Sequence, residues 1–162
     1  MRNLFAAILL VLFFVACDST TVWSDTQSLP EGWDKDRNVV FTVPQLDSLK
    51  TYDVFINVRN TNEYPFNNLF LIAAIEFPHG KTNTDTLEYR MAYPNGEWMG
   101  EGLGSVKENK LWFREGIQFS EKGNYNIILT QAVRNNGETQ GVSQLPGITD
   151  VGISIEEATQ SP

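Results

Sequence analysis

Between Lys50 and Arg59 the side chains alternate in character: Tyr52, Val54, Ile56 and Val58 are apolar, while Asp53, Asn57 and Arg59 are polar. Successive side chains of an extended chain point to opposite faces, so this pattern builds a strand with one face buried and one wet. A helix would scatter the same residues around its whole circumference. The alternation returns with Tyr125, Ile127, Leu129 and Val133 inside Gly123–Arg134, and with Val151, Ile153 and Ile155 inside Asp150–Glu156. Asn68–Phe77 is almost wholly apolar, as in a strand covered on both faces or a short buried helix. Its β-branched and aromatic content, between Pro65 and Pro78, favours the strand. Asn38–Val43, Thr84–Met91 and Lys110–Phe113 are weaker strand candidates.

The breaks between these segments carry turn chemistry. Pro78-His79-Gly80, Pro94-Asn95-Gly96, Glu121-Lys122-Gly123 and Asn135-Asn136-Gly137 place Gly or Asn where a positive φ is needed. No stretch of a dozen residues holds a helical period. The expected fold class is therefore all-β, a single antiparallel β-sandwich, with jelly-roll and Ig-like topologies both open.

The amino terminus follows different rules. Arg2 precedes an unbroken apolar run over residues 4–15, and polarity rises sharply after Cys17 with Asp18, Ser19, Thr20 and Thr21. A short basic region with a brief apolar core is a secretory signal, too short for a bilayer-spanning helix, which needs about 20 residues. Val15-Ala16-Cys17 resembles the lipobox at which a cysteine is diacylated and the chain then cut, although Phe14 stands where that motif usually carries leucine. Cys17 is the chain's only cysteine, so it has no disulfide partner within the chain, and an unpaired thiol in an exported protein needs a reason. The expected organisation is a lipoprotein signal peptide over 1–16, a lipidated Cys17 with a polar tether over 17–32, whose Val22 and Trp23 leave docking on the domain open, and the β-domain over 33–162. Arg2 is one of 12 basic residues, so the mature chain keeps 11 against 20 acidic ones, a formal charge of about −9. That balance argues against nucleic acid and against docking on anionic lipid through charge, because both reward clustered Lys and Arg.

Catalytic chemistry finds little to work with. His79 is the only histidine and sits in a turn; with one His and no free cysteine, a zinc site is not expected. Glu88, Glu97, Glu101 and Glu108 could in principle supply a glycosidase pair, but their spacing matches solvated strand faces and turns equally well. Gly96–Gly104 (GEWMGEGLG) is glycine-rich, yet it lacks the lysine and the strand–loop–helix setting of a phosphate cradle. A tight hairpin-like turn accounts for it better. Of Trp23, Trp33, Trp98 and Trp112, most are expected to fill the core, Trp112 among them. Trp98, with Gly and Glu as neighbours, stays open as a binding aromatic. No cofactor, metal or catalytic residue is expected.

Tyr64–Leu71 (YPFNNLFL), Phe77–Lys81 (FPHGK), Asp85–Tyr89 (DTLEY), Gly96–Gly104, Lys107–Trp112 (KENKLW), Gln131–Arg134 and Leu145–Ile153 (LPGITDVGI) follow one another along the chain. Taken in that order, these blocks resemble the gliding-motility lipoprotein GldH family. The resemblance implies a cell-envelope lipoprotein of Bacteroidota, held by lipid with the outer membrane as its expected site. It also implies a role in the gliding apparatus and the linked type IX secretion machinery, with other envelope lipoproteins as partners and no catalysis. The alternative is a surface glycan-binding lipoprotein with a jelly-roll module. Asp18-Ser19-Thr20, Asp47-Ser48-Leu49 and Asp85-Thr86-Leu87 further resemble the O-glycosylation acceptor motif of that phylum, which would place glycans on Ser19, Ser48 and Thr86.

Overall fold

The computed structural model describes residues 20–158, which form ten β-strands, with no helix among the described residues. The strands are β1 (Thr21–Ser28), β2 (Trp33–Asp34), β3 (Val39–Val43), β4 (Tyr52–Asn60) and β5 (Asn68–Glu76), then β6 (Thr82–Arg90), β7 (Lys107–Ile117), β8 (Tyr125–Gln131), β9 (Gln144–Leu145) and β10 (Ile148–Glu157). Two four-stranded sheets have the orders β1-β10-β4-β7 and β3-β8-β5-β6, and β2 pairs with β9 in a small third sheet. Cys17, Ser19 and the expected cleavage site lie outside the described residues.

The pairings are nested. β1 pairs with β10, β3 with β8, β4 with β7 and β5 with β6, all antiparallel, so the first half of the chain meets the second half in reverse order. The pairs alternate between the two sheets, as when one long hairpin is rolled over on itself. This is the jelly-roll arrangement, and it resolves the choice left open by the sequence.

The alternating segments form the core as expected. Val54, Ile56 and Val58 of β4, Ile127 and Leu129 of β8, and Val151, Ile153 and Ile155 of β10 are fully buried. Leu69, Leu71, Ala73 and Ile75 of β5 join them. Each such Val, Leu or Ile side chain is worth about 1.5–3 kcal/mol when taken from water, which must carry a domain that has no disulfide. Trp33 is fully buried, and its indole N–H donates to the Arg37 carbonyl at 3.0 Å.

Three expectations change. The stretch read as a tether is strand β1 from Thr21 onward, in register with β10 from Thr21↔Glu156 to Ser28↔Asp150. Its side chains are mostly exposed because it is an edge strand held by backbone bonds to one neighbour. Trp112 is not core: it is 56% exposed and lies on the outer face of β7, its ring 4.4 Å from that of Phe55. β5 is a strand, but only one face is fully covered, since Phe70 and Ala74 are half-buried and Ile72 is exposed.

Strand direction gives the sandwich two ends. Residues 29–38, 61–67, 91–106 and 132–147 make the connections at one, the loop end. Residues 44–51, 77–81 and 118–124 connect strands at the other, the base, where β1 starts and β10 finishes.

Candidate functional site

Five of the seven resemblance blocks scattered along the chain meet at the loop end, while Phe77–Lys81 turns at the base and Asp85–Tyr89 runs along β6. Residues 61–67 turn tightly, with Tyr64 N–H donating to the Thr61 carbonyl at 3.2 Å. Tyr64 is buried, and its hydroxyl donates to the Asn68 carbonyl at 2.8 Å. Burial holds that phenol well above the ordinary tyrosine range, because the charged form would lose its hydration. Phe66 meets Tyr64 edge-on at 5.7 Å, and Trp98 leans on it at 6.2 Å. The Trp98 indole N–H donates to Asn62 Oδ1 at 2.9 Å, so Trp98 is half-buried and pinned rather than free to stack on a ligand.

Gly147 locks a third connection onto this cluster. Its φ is +76°, and a Cβ there would lie 2.3 Å from the Tyr64 nitrogen. Only glycine satisfies both conditions, which places the Leu145–Ile148 turn directly on residues 61–64. The Gly147 carbonyl accepts from Thr61 N–H at 2.8 Å.

The connection between β6 and β7 forms two back-to-back hairpin turns. The first closes around Gly96, with Tyr93 N–H donating to the Glu97 carbonyl at 2.8 Å. The second brings Glu101 beside Glu108, each N–H donating to the other's carbonyl at 2.9 and 2.8 Å. Gly100 sits between them, against β7, where a Cβ would meet Asn109 Oδ1 at 2.7 Å and the Glu108 carbonyl at 2.8 Å. Asn109 is itself buried, and its amide donates to the Val58 carbonyl at 3.1 Å and to Asn60 Oδ1 at 2.8 Å.

This double hairpin, the first half of β7 and Asn57 of β4 line an open groove of about 720 Å³. Asn57, Arg90, Glu101, Glu108, Asn109 and Lys110 give it mixed charge, and Met99 and Leu111 supply apolar wall. No aromatic ring lines it. Met99 and Val106 are exposed beside it, and Leu103, between two glycines, is 98% exposed. Along the neighbouring rows Arg59 bridges Glu108 and Asp150, each at 3.4 Å, and Lys110 pairs with Glu156 at 2.7 Å. Below the groove the two edge strands are tied together. Arg114 pairs with Asp85, and the Tyr89 hydroxyl donates to the Trp112 carbonyl. Burial pushes the Tyr89 phenol up to about 12.

The sequence candidates are not gathered into one site. Ser48 lies in an exposed turn at the base, and Thr86 is exposed on β6. His79 is exposed in its turn, also at the base. Of the four carboxylates only Glu101 and Glu108 share the groove; Glu88 accepts from Asn68 at 3.0 Å, and Glu97 is bound to Asn95. Among the described residues no group of three His, Cys, Asp or Glu could hold a metal. Met99, Leu103, Val106 and the Asn60–Asn109 pair were not singled out by sequence; an exposed Leu within Gly-Leu-Gly was the available sign.

The model of the GldH lipoprotein family matches residues 21–155. A relative from Christiangramia forsetii, the gliding motility lipoprotein GldH homolog, is 48% identical over 156 residues, covering 96% of each chain. The gliding motility lipoprotein GldH of Flavobacterium johnsoniae is 50% identical over 156 residues, 96% of this chain and 97% of its own. Among solved structures, that of infectious bursal disease virus Gt strain aligns at 15% identity over 86% of this chain and 34% of its own, with a TM-score of 0.27, too low to carry an argument. The family match runs from the first residue of β1 to Ile155 of β10, and both relatives align along nearly their full length: the chain belongs to the GldH lipoprotein family.

Proposed function

We propose that this protein is a lipid-anchored, non-catalytic component of the gliding motility and type IX secretion apparatus, acting at the cell envelope, on the outer membrane, through contacts with other envelope lipoproteins. Lipid on Cys17 provides the anchor. The observation that carries the contact role is the loop end itself. Three connections converge there on Tyr64, and the glycine hairpin holds Met99, Leu103 and Val106 out into solvent beside a groove of mixed charge. Exposed apolar groups rimming a polar depression suit a protein surface, in which a few apolar anchors are ringed by polar contacts. The relatives' names supply the system in which those partners are sought.

A glycan-binding role fits less well. Sugar recognition on such a sandwich calls for open aromatic faces in a groove, whereas this groove has none and Trp98 is pinned to Asn62. O-glycans on Ser19, Ser48 and Thr86 are part of the proposal, since Ser48 and Thr86 are both exposed. Intact mass of protein from the native host checks them, and a mass with no glycan removes that element.

The test is a crosslinked pull-down from native membranes, comparing the parent with Cys17→Ala. The parent is expected to recover gliding or secretion lipoproteins and the variant to leave the membrane. Retention of polysaccharide with no such lipoprotein refutes the reading.

A further inference from the structure

The place where the chain enters the fold orients the whole molecule. Thr20 lies at the base: its carbonyl accepts from Glu157 N–H at 3.0 Å, and Ala158 N–H donates to the Thr51 carbonyl at 2.9 Å. Cys17 precedes Thr20 by three residues, and a chain spans no more than about 3.6 Å per residue, so their Cα atoms lie within about 11 Å of each other. The nine residues of β4 make the sandwich roughly 30 Å long. The link is shorter than the domain, so a lipid on Cys17 keeps the start of β1, and the base with it, within reach of the bilayer.

The base is a firm surface. Phe119 packs against Tyr125 at 4.9 Å and Tyr52 at 5.8 Å, and Phe77 against Tyr125 at 5.2 Å. Gly123 N–H donates to Gln45 Oε1 at 2.7 Å, tying two of the base turns together. From this floor Leu49 projects, 89% exposed. Its turn is fixed by Asp47, whose carboxylate accepts from Leu49 N–H at 3.0 Å and whose carbonyl accepts from Lys50 N–H at 3.2 Å. Beside it Lys50 is paired to Glu157 at 2.8 Å, and the neighbouring base turns carry Lys81, Glu121 and Lys122. Such a base lacks the excess cations that seek anionic headgroups, and what it offers a bilayer is one bare apolar tip.

We infer that the base of the jelly roll rests on the bilayer interface with Leu49 entering it, and that the groove at the loop end is presented about one domain length away from the membrane. The inference rests on the lipid at Cys17 and adds an orientation to it.

The lipidated protein, purified from its native host, is reconstituted into phosphatidylcholine vesicles and recovered by flotation. A lipidated Cys17 has no free thiol, so Leu49→Cys or Leu103→Cys introduces the only labelling site for a fluorescent probe; both positions are exposed, and the substitutions leave the core untouched. Iodide quenching is then compared between the vesicle-bound protein and the unlipidated mature chain carrying Cys17→Ala in buffer. The expected result is a severalfold loss of quenching at position 49 on vesicles, with no change at position 103. Equal quenching at both positions in protein that floats overturns the orientation and leaves the anchor standing. If the parent takes up the thiol probe or fails to float, the anchor reading itself has failed, and the orientation falls with it.

Discussion

Gly100→Ala isolates the step that builds the groove. Gly100 has an ordinary φ, so alanine brings no backbone strain there. Its cost is steric: the new methyl would lie 2.7 Å from Asn109 Oδ1, 2.9 Å from Asn109 Cγ and 2.8 Å from the Glu108 carbonyl. Overpacking a close contact costs about 1–3 kcal/mol. At about 3 °C per kcal/mol for a domain of this size, the midpoint of thermal unfolding should fall by roughly 3–9 °C. The fall grows by about another 3–9 °C if Asn109 is pushed off the Val58 carbonyl and Asn60 Oδ1, because a buried amide left without partners costs a further 1–3 kcal/mol or so. The assay is thermal unfolding by circular dichroism of the mature chain carrying Cys17→Ala. Asn109→Ala removes two of the three close contacts but leaves the Glu108 carbonyl, so in that background Gly100→Ala should cost less without becoming free. A midpoint within about 1 °C of the parent would refute the claim that close approach of Gly100 to β7 positions the hairpin.

Trp33→Ala empties a fully buried site and orphans the Arg37 carbonyl, so it should cost about 3–5 kcal/mol in urea unfolding. Stability should decline in alkali: the folded Tyr89 phenol keeps its proton to about 12, whereas the unfolded one releases it near 10. Its contribution is therefore whole below pH 10 and lost between 10 and 12, and the urea midpoint of Tyr89→Phe should fall less steeply over that window. Gly147→Ala, with its positive φ and its clash with the Tyr64 nitrogen, should destabilise more than Gly100→Ala, and equal unfolding midpoints would contradict the account. Leu103→Asp should leave the unfolding free energy within about 0.5 kcal/mol of the parent, since the side chain touches little, while abolishing gliding in a complemented deletion strain.

The parts of the fold written in local pattern were legible. Tyr52, Val54, Ile56 and Val58 face one well-covered core, so their burial leaves a period of two in the sequence. β1 was not legible as a strand, because Ser24, Asp25 and Thr26 are exposed and its hold on β10 is backbone pairing with residues more than a hundred positions away. The jelly roll was out of reach for the same reason: nested pairings are long-range, and turn residues announce a hairpin without naming its mate. Trp112 misled because it stands between Leu111 and Phe113, and Phe55, the residue it covers, is on another strand. At the loop end the glycine hairpin could be seen as a turn. That Gly100 faces Asn109 while Leu103 stands free depends on packing against β7, which no local pattern records.

Site-specific photocrosslinking in native membranes tests most directly the claim that the loop end is the working surface. A photoreactive residue is placed at Met99 or Leu103, and in a matched protein at Leu49, all three exposed. The account predicts protein adducts with gliding or secretion lipoproteins from Met99 and Leu103, and none of these from Leu49. Lipoprotein adducts from Leu49 with none from Met99 and Leu103 would contradict it.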